Sequence, residues 1–211
     1  NSVLNQDYKN LEYIIIDGYS NDGTYEKILN KIKKSKLNIK LIKKKDKNMY
    51  DAINYGIQIS KGQIVGLIHS GDIFFNKNIL KVITKIFSKN INAISANLVF
   101  KKRKKIERVW NYPLKNLNIY TFFKVAHPTL FLKKELYKKI GPYNTDYDIC
   151  SDTDFIIRLS KNSNTKYEYL NKTITIMNIG GLSTSYKYLF KKIYEDTKIL
   201  FKHFKFLFAP I

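Results

Sequence analysis

Along the first hundred residues, short apolar runs alternate with stretches of helical spacing. Leu11–Asp17 (LEYIIID) and Ile64–Ile68 (IVGLI) are nearly unbroken apolar runs, the mark of strands covered on both faces. Asn38–Ile42 and Ala93–Phe100 predict two more strands. Between these runs, apolar positions in Thr24–Ile32, Met49–Ile59 and Asn78–Phe87 recur at helical intervals, and each stretch predicts a helix. Turn residues separate the elements, most densely in GYSNDGT at Gly18–Thr24 and in Asp46-Lys47-Asn48 and Lys61-Gly62. Regular alternation of strand and helix predicts an α/β fold with a doubly wound, mostly parallel sheet flanked by helices, Rossmann-like in plan. Such sheets bind ligands beyond the carboxyl ends of their strands. Right-handed crossovers put Asp17, Ile42 and Asp72 along one edge, so two acids from separate strands face one crevice.

The second half is less regular. Lys101–Lys105 reads as a solvated hairpin tip or loop, and Trp110–Phe123 as an aromatic-rich helix or loop. Ala126–Leu132 (AHPTLFL) predicts a strand entered through His127-Pro128. A helix over Lys133–Ile140 stops at Gly141-Pro142, and a second helix spans Ser151–Ser160. Lys166–Leu170 and Thr173–Met177 predict two strands, Gly180-Gly181 a break, and Tyr186–Phe208 a long, basic, aromatic amphipathic helix. Residues Asn1–Asp7 read as the end of a helix already under way. With no internal repeat and no flexible linker, the 211 residues are read as one domain.

Composition changes this picture little. The single cysteine, Cys150, excludes an internal disulfide and a cysteine-held zinc, which fits a reducing compartment. No apolar run reaches the roughly 18 residues of a membrane span. The net charge of +21 invites a nucleic acid or an anionic membrane as partner. The lysines are spread along the whole chain and form no recognition element, so a nucleic-acid partner is set aside. The C-terminal helix, with Lys187, Lys191, Lys192, Lys198, Lys202 and Lys205, suits either peripheral contact with an anionic bilayer or packing with its lysines in water.

The chemistry concentrates at a few acids. Asp72 follows Gly71 at the end of the Ile64 strand, where a carboxylate beside a closely approachable backbone suits a divalent cation bridged to phosphate; a helix cap or turn acid is the alternative. Asp51 and Asn54 are three apart and share a helix face. Asp154 and Arg158 are four apart, the spacing of an ion pair along a helix.

In order along the chain, the motifs are NSVLNQDYKNLEYIIIDGYSNDGT, DKNMYDAINYGIQISKGQIVGLIHSGD, HPTLF and SDTDFIIRL, with GGLS at Gly180–Ser183 a weaker addition. Together they resemble the family 2 glycosyltransferases of the GT-A fold, and within them bacterial enzymes of surface-polysaccharide synthesis of the colanic acid type. The resemblance implies an inverting transfer from a nucleotide-diphosphate sugar, UDP-linked by family habit, to a glycan or lipid-linked saccharide. It implies a Mn2+ or Mg2+ cofactor and a cytoplasmic enzyme at the inner face of the membrane. By residue, it implies that Asp17 accepts from the nucleotide base, that Asp46, Asp51, Asn54 and Gly71 line the nucleotide-sugar pocket, and that Asp72 ligates the metal. Asp152 matches the general base, with Asp154 as the runner-up. His127, Asp154 and Arg158 become contacts to the acceptor or the diphosphate, against structural roles as strand entry and ion pair. The chain would divide into a nucleotide-sugar half (1–100), an acceptor and catalytic half (101–185) and a C-terminal helix (186–211). Two departures stand out. Gly71 and His69 occupy positions where other members carry Asp, and the family's strand ahead of Asn1 is missing. Those departures motivate the alternative of a degenerate member that binds nucleotide or polymer without turnover.

Overall fold

The computed structural model describes residues 1–103, 105–179 and 188–204. The first stretch runs β1 (Glu12–Asp17), α1 (Thr24–Ile32), β2 (Asn38–Lys43), α2 (Met49–Ile59), β3 (Ile64–Gly66), β4 (Ile73–Phe74) and α3 (Ile79–Phe87). Then follow β5 (Ala93–Lys102), β6 (Lys105–Trp110), β7 (Phe131–Lys133), α4 (Lys134–Ile140), α5 (Ser151–Lys161), β8 (Tyr167–Asn178) and α6 (Leu189–His203). Gly180–Ser183, and the ends of the helix expected over Tyr186–Phe208, lie outside the described residues.

Local chemistry sets the boundaries. Asn48 starts α2 by accepting from the backbone N–H of Tyr50 and Asp51, the usual N-cap arrangement. Gly141, at φ +88°, ends α4 in a conformation that disfavours any side chain. Thr24–Ile32 and Met49–Ile59 form the two helices expected of them. Other expectations shift. His127–Thr129 is a 3₁₀ turn and not the start of a strand, because Pro128 fixes its own φ and has no N–H to offer a ladder. Thr129 anchors that turn to β5, its hydroxyl accepting from Ala96 N–H at 3.0 Å. The two strands expected at Lys166–Leu170 and Thr173–Met177 are one strand, β8. Its pairing with β5 jumps from Ala96↔Leu170 to Asn97↔Thr173, and the skipped, exposed Asn171 and Lys172 break the apolar pattern. β3 is shorter than its apolar run. Its Gly66 is obligatory, since a Cβ there would lie 2.1 Å from the Phe131 ring.

β5 is the axis of a six-stranded sheet ordered β3-β7-β5-β8-β4, with β6 also paired to β5 as the far arm of a hairpin. Within it only β5–β8 is parallel, so the sheet is mixed where a mostly parallel one was expected. The reason is the second half, where β6 and β7 pair with β5 through antiparallel ladders. Parallel β1 and β2 form a separate two-stranded sheet. Among the described residues, β1 pairs only with β2, and β3 only with β7. Ile14, Ile15 and Ile16 of β1 and Ile64 and Val65 of β3 therefore line a common cleft. On one side of the main sheet, α3 packs Ile79, Ile83, Ile86 and Phe87 against Ile94, Phe131 and Ile174. A separate cluster joins Tyr50, Leu132, Leu136, Tyr143, Phe155 and Leu159.

Candidate active site

Among the acids that line the cleft between the two sheets, Asp17, Asp72 and Asp152 come from three separate elements. Asp17 is the last residue of β1 and only 5% exposed. Its Oδ2 accepts from Ser20 N–H at 3.0 Å and its carbonyl from Lys44 N–H at 3.0 Å, which closes the chain around the strand end. The carboxylate lines the cleft.

Asp72 sits in the turn that follows β3. Its N–H donates to His69 O at 3.0 Å, and Gly71, at φ +90°, makes the turn. Asn178 of β8 holds this turn from the other side, donating to Gly71 O at 2.6 Å. Asp72 Oδ2 is buried and has no hydrogen-bond partner among the described residues. Burial pushes the carboxyl up to about 6. A buried carboxylate oxygen without a partner is costly and calls for a cation or a donor. The described residues contain no cluster of three or more His, Cys, Asp or Glu able to enclose a metal ion. The residues present therefore fit a cation held by one carboxylate and otherwise by oxygens of a bound ligand and water, a coordination common for magnesium-type ions.

Asp152 lies in the first turn of α5 and lines the same cleft. Its Oδ1 accepts from Thr153 N–H at 3.0 Å and from the Tyr50 hydroxyl at 3.2 Å. Its Oδ2 lies 3.9 Å from His127 Nδ1. His127 shares its Nε2 with the Tyr143 hydroxyl at 3.0 Å and stands 5.4 Å, ring to ring, from His69. Burial lowers both histidines to about 4, so both are neutral at pH 7 and add no positive charge beside Asp152. Burial, the dominant influence, raises the Asp152 carboxyl above the usual carboxylate range.

Of the other residues singled out in the sequence, Gly71 and His127 also line the cleft. Five others do not, and each has a structural tie instead. Asp46 and Asp51 both pair with Lys44. Asn54 is locked to Tyr143, donating to its carbonyl and accepting from its N–H, each at 2.8 Å. Asp154 is 1% exposed and bonds Arg158 Nε and His203 Nε2, both at 2.8 Å. These partners hold its carboxyl below the usual range despite burial. Arg158 spends its remaining donors on the carbonyls of Ile140 and Pro142. Asp154 and Arg158 thus join α5 to α6 and to the end of α4, which is the ion-pair reading of their spacing and not a place in the cleft.

Sequence reasoning passed over Tyr50, whose hydroxyl reaches Asp152, and Glu195, which is buried in α6 and accepts from the N–H groups of Asp148, Ile149 and Cys150 at 2.9–3.0 Å. The signal for Glu195 was available: Glu195 and Asp196 are the only acids in α6, whose other charged residues are lysines. Three lysines of α6 form ion pairs while staying about half exposed, Lys191 with Asp148, Lys192 with Asp196 along the same helix and Lys202 with Asp154, and Phe190, Ile193, Tyr194 and Phe201 are exposed as well. Among the described residues no helix is long and apolar enough to cross a membrane.

Comparison with known proteins places this geometry. The family model for glycosyl transferase family 2 matches residues 1–151. The chain is 26% identical over 190 residues to a PGL/p-HBAD biosynthesis glycosyltransferase of Mycobacterium bovis, covering 87% of this chain and 72% of that protein. It is 27% identical over 205 residues to the Escherichia coli UDP-Glc:alpha-D-GlcNAc-diphosphoundecaprenol beta-1,3-glucosyltransferase WfaP, covering 94% of this chain and 77% of that one. The fold is shared with S. aureus TarS 1-349 in complex with UDP, at TM-score 0.70 and 18% identity over 96% of this chain. The structure of TarS 1-349 with UDP-GlcNAc superposes at TM-score 0.67 and 16% identity, again over 96% of this chain. The chain spans 59% of the first TarS chain and 62% of the second. With this match the α/β class is the GT-A fold.

Proposed function

The chain belongs to glycosyl transferase family 2, and from that membership we propose that it moves a sugar from a UDP-sugar to a saccharide or lipid-linked acceptor, with inversion, in the synthesis of a bacterial surface polysaccharide or glycolipid. One observation carries this reading: Asp17, Asp72 and Asp152, from β1, the turn after β3 and α5, line one cleft. The names of the relatives, which include a glucosyltransferase that uses UDP-Glc, and the UDP and UDP-GlcNAc complexes of TarS support the donor class.

Each acid takes a separate role. Asp17, at the end of β1, accepts from the N–H of the nucleotide base. Asp72 would hold Mn2+ or Mg2+, which would offset the charge that develops on the departing diphosphate. Asp152 removes the proton of the acceptor hydroxyl. The acceptor oxygen forms its bond to the anomeric carbon as the bond from that carbon to the diphosphate oxygen breaks, and the released pair stays on the nucleotide diphosphate. Attack from the face opposite the leaving group inverts the centre. A carboxyl raised by burial is a stronger base than an exposed one, and two neutral histidines beside it leave that basicity intact. Residues 1–100 supply the donor site and 101–185 the base. The exposed Phe190, Ile193, Tyr194 and Phe201 of α6 support peripheral contact at the inner face of the cell membrane, where a lipid-linked acceptor is found.

Thermal unfolding against UDP-, GDP- and CDP-linked sugars, each with and without Mn2+, tests the proposal. A ligand that binds only the folded chain raises its melting temperature by mass action. The expected result is a shift with UDP-sugars that needs Mn2+ and is lost in Asp72→Asn. No shift with any nucleotide would overturn the reading of the cleft as a donor site.

A further inference from the structure

The base is held by a residue outside its own element. Tyr50, in the first turn of α2, is 1% exposed, and its ring stacks on Tyr143 with centroids 5.7 Å apart. Its hydroxyl stands 2.6 Å from Ile149 O and 3.2 Å from Asp152 Oδ1. One phenolic proton thus faces two acceptors, a carbonyl just ahead of α5 and the carboxylate within it. The same segment is bound on both sides. From α2, Asn48 Nδ2 reaches Thr145 O at 2.9 Å and Asp148 Oδ1 at 3.0 Å. From α6, Glu195 takes the N–H groups of residues 148, 149 and 150. Of Asp17, Asp72 and Asp152, Asp152 is the one that the donor-side helix α2 bonds directly.

We propose that Tyr50 is a positioning residue for Asp152: its hydroxyl, with Thr153 N–H, pins Oδ1 and leaves Oδ2 as the oxygen that receives the acceptor proton. This rests on the general-base reading of Asp152. In the ionised state the Tyr50 proton is shared with Oδ1. Once Oδ2 has taken the acceptor proton, Oδ1 is a weaker acceptor and the phenolic proton goes wholly to Ile149 O, so Ile149 keeps a partner through the cycle. The titratable groups that face Asp152 are Tyr50 from α2, His69 after β3, His127 from the 3₁₀ turn, Tyr143 between α4 and α5, Cys150 at the start of α5, and Asp196 and Lys192 from α6. Of these, Tyr50 is the one that donates directly to the carboxylate.

The test is titration of the Asp152 carboxyl by carbon-13 NMR in aspartate-labelled full chain, with Asp152→Asn assigning the signal. A donor to the ionised form keeps a carboxyl pKa down, so Tyr50→Phe raises it, by about one unit. Glu195→Gln disturbs the same segment but leaves Oδ1 bonded, and its Asp152 signal titrates as in the parent. A trifluorotyrosine placed at position 50, a stronger donor that keeps the ring, moves the titration the opposite way to Tyr50→Phe and decides the matter if that variant does not fold. An unmoved titration in the position-50 variants, or equal shifts in Tyr50→Phe and Glu195→Gln, overturns the proposal. Release of UDP from UDP-glucose is the second readout. Tyr50→Phe moves the acid limb of kcat to higher pH with KM unchanged. Turnover retained in Asp152→Asn would instead sink the general-base reading itself, whatever the titration shows.

Discussion

β5 and β1 are both strands that deliver residues to the cleft, yet they are built differently. In β5 every residue from Ala93 to Val99 is buried, whereas in β1 only Asp17 is. The flanking helices repeat the contrast. α5 buries six residues, among them Phe155, Ile157 and Leu159, and α1 buries none. The proposed general base, Asp152, therefore stands on a well-buried helix, and Asp17, the proposed contact to the nucleotide base, stands on a two-stranded unit that few buried side chains hold. Chemistry needs a carboxylate fixed to within a fraction of an ångström, while a nucleotide can use part of its binding energy to order what it touches.

The largest effect that sharpens this contrast is on turnover. Asp152→Asn should cut the rate about 10²–10⁴-fold while leaving the UDP-dependent rise in melting temperature intact. Asp17→Ala should do the reverse, abolishing most of that rise. Loss of nucleotide binding in Asp152→Asn would break the division of labour. Next comes stability in urea. Phe155→Ala should cost about 3–5 kcal/mol, and Ile15→Ala about 1 kcal/mol, since the half-buried Ile15 leaves little cavity. Equal costs would mean that the small sheet is as cooperative as the large one.

A smaller effect depends on pH. The Asp72 carboxyl titrates at about 6 in the folded chain and near its ordinary value when unfolded. Below about pH 4 it is protonated in both states and changes nothing. As pH rises towards 6 the unfolded chain gives up its proton first, and stability falls. Asp72→Asn should therefore match the parent near pH 4 and exceed it above pH 6 by roughly 1–2 kcal/mol, a figure reduced for the carboxyl's partial exposure. Parallel curves at all pH values would show that Asp72 is solvated and its oxygen not orphaned. The smallest effect is local. UDP with Mn2+ should slow amide exchange across β1 and β2 and leave β5 unchanged. Protection gained equally in β5 would mean that the ligand stabilises the molecule as a single unit.

Much of the fold was legible because periodicity is local. Helices α1 and α2 were visible to the residue, since their apolar stripes lie within them. The sheet order was not, because a ladder is a relation between distant segments. β8 was read as two strands for the sake of two exposed residues, and β6, mostly exposed, carries too few buried positions to announce itself. The cleft acids were visible as acids at strand ends or at a helix start. What separates Asp152 from Asp154 is which neighbours reach them: Tyr50, 102 positions away, in one case, and His203, 49 positions away, in the other. Spacing within SDTD contains neither.

Among the described residues β1 pairs only with β2 and β3 only with β7, and that arrangement has a colloidal consequence. A strand edge with free N–H and C=O groups is a template for any other extended chain, and natural sheets usually blunt such edges. Apolar side chains of β1 and β3 line the cleft beside these edges, and the shared charge of +21 opposes contact between copies. That repulsion reaches about 10 Å at 0.1 M salt and about 3 Å at 1 M. The protein should accordingly disperse best in dilute buffer, and concentrated salt, which rescues many basic proteins from precipitation on polyanions, should bring this one together edge to edge.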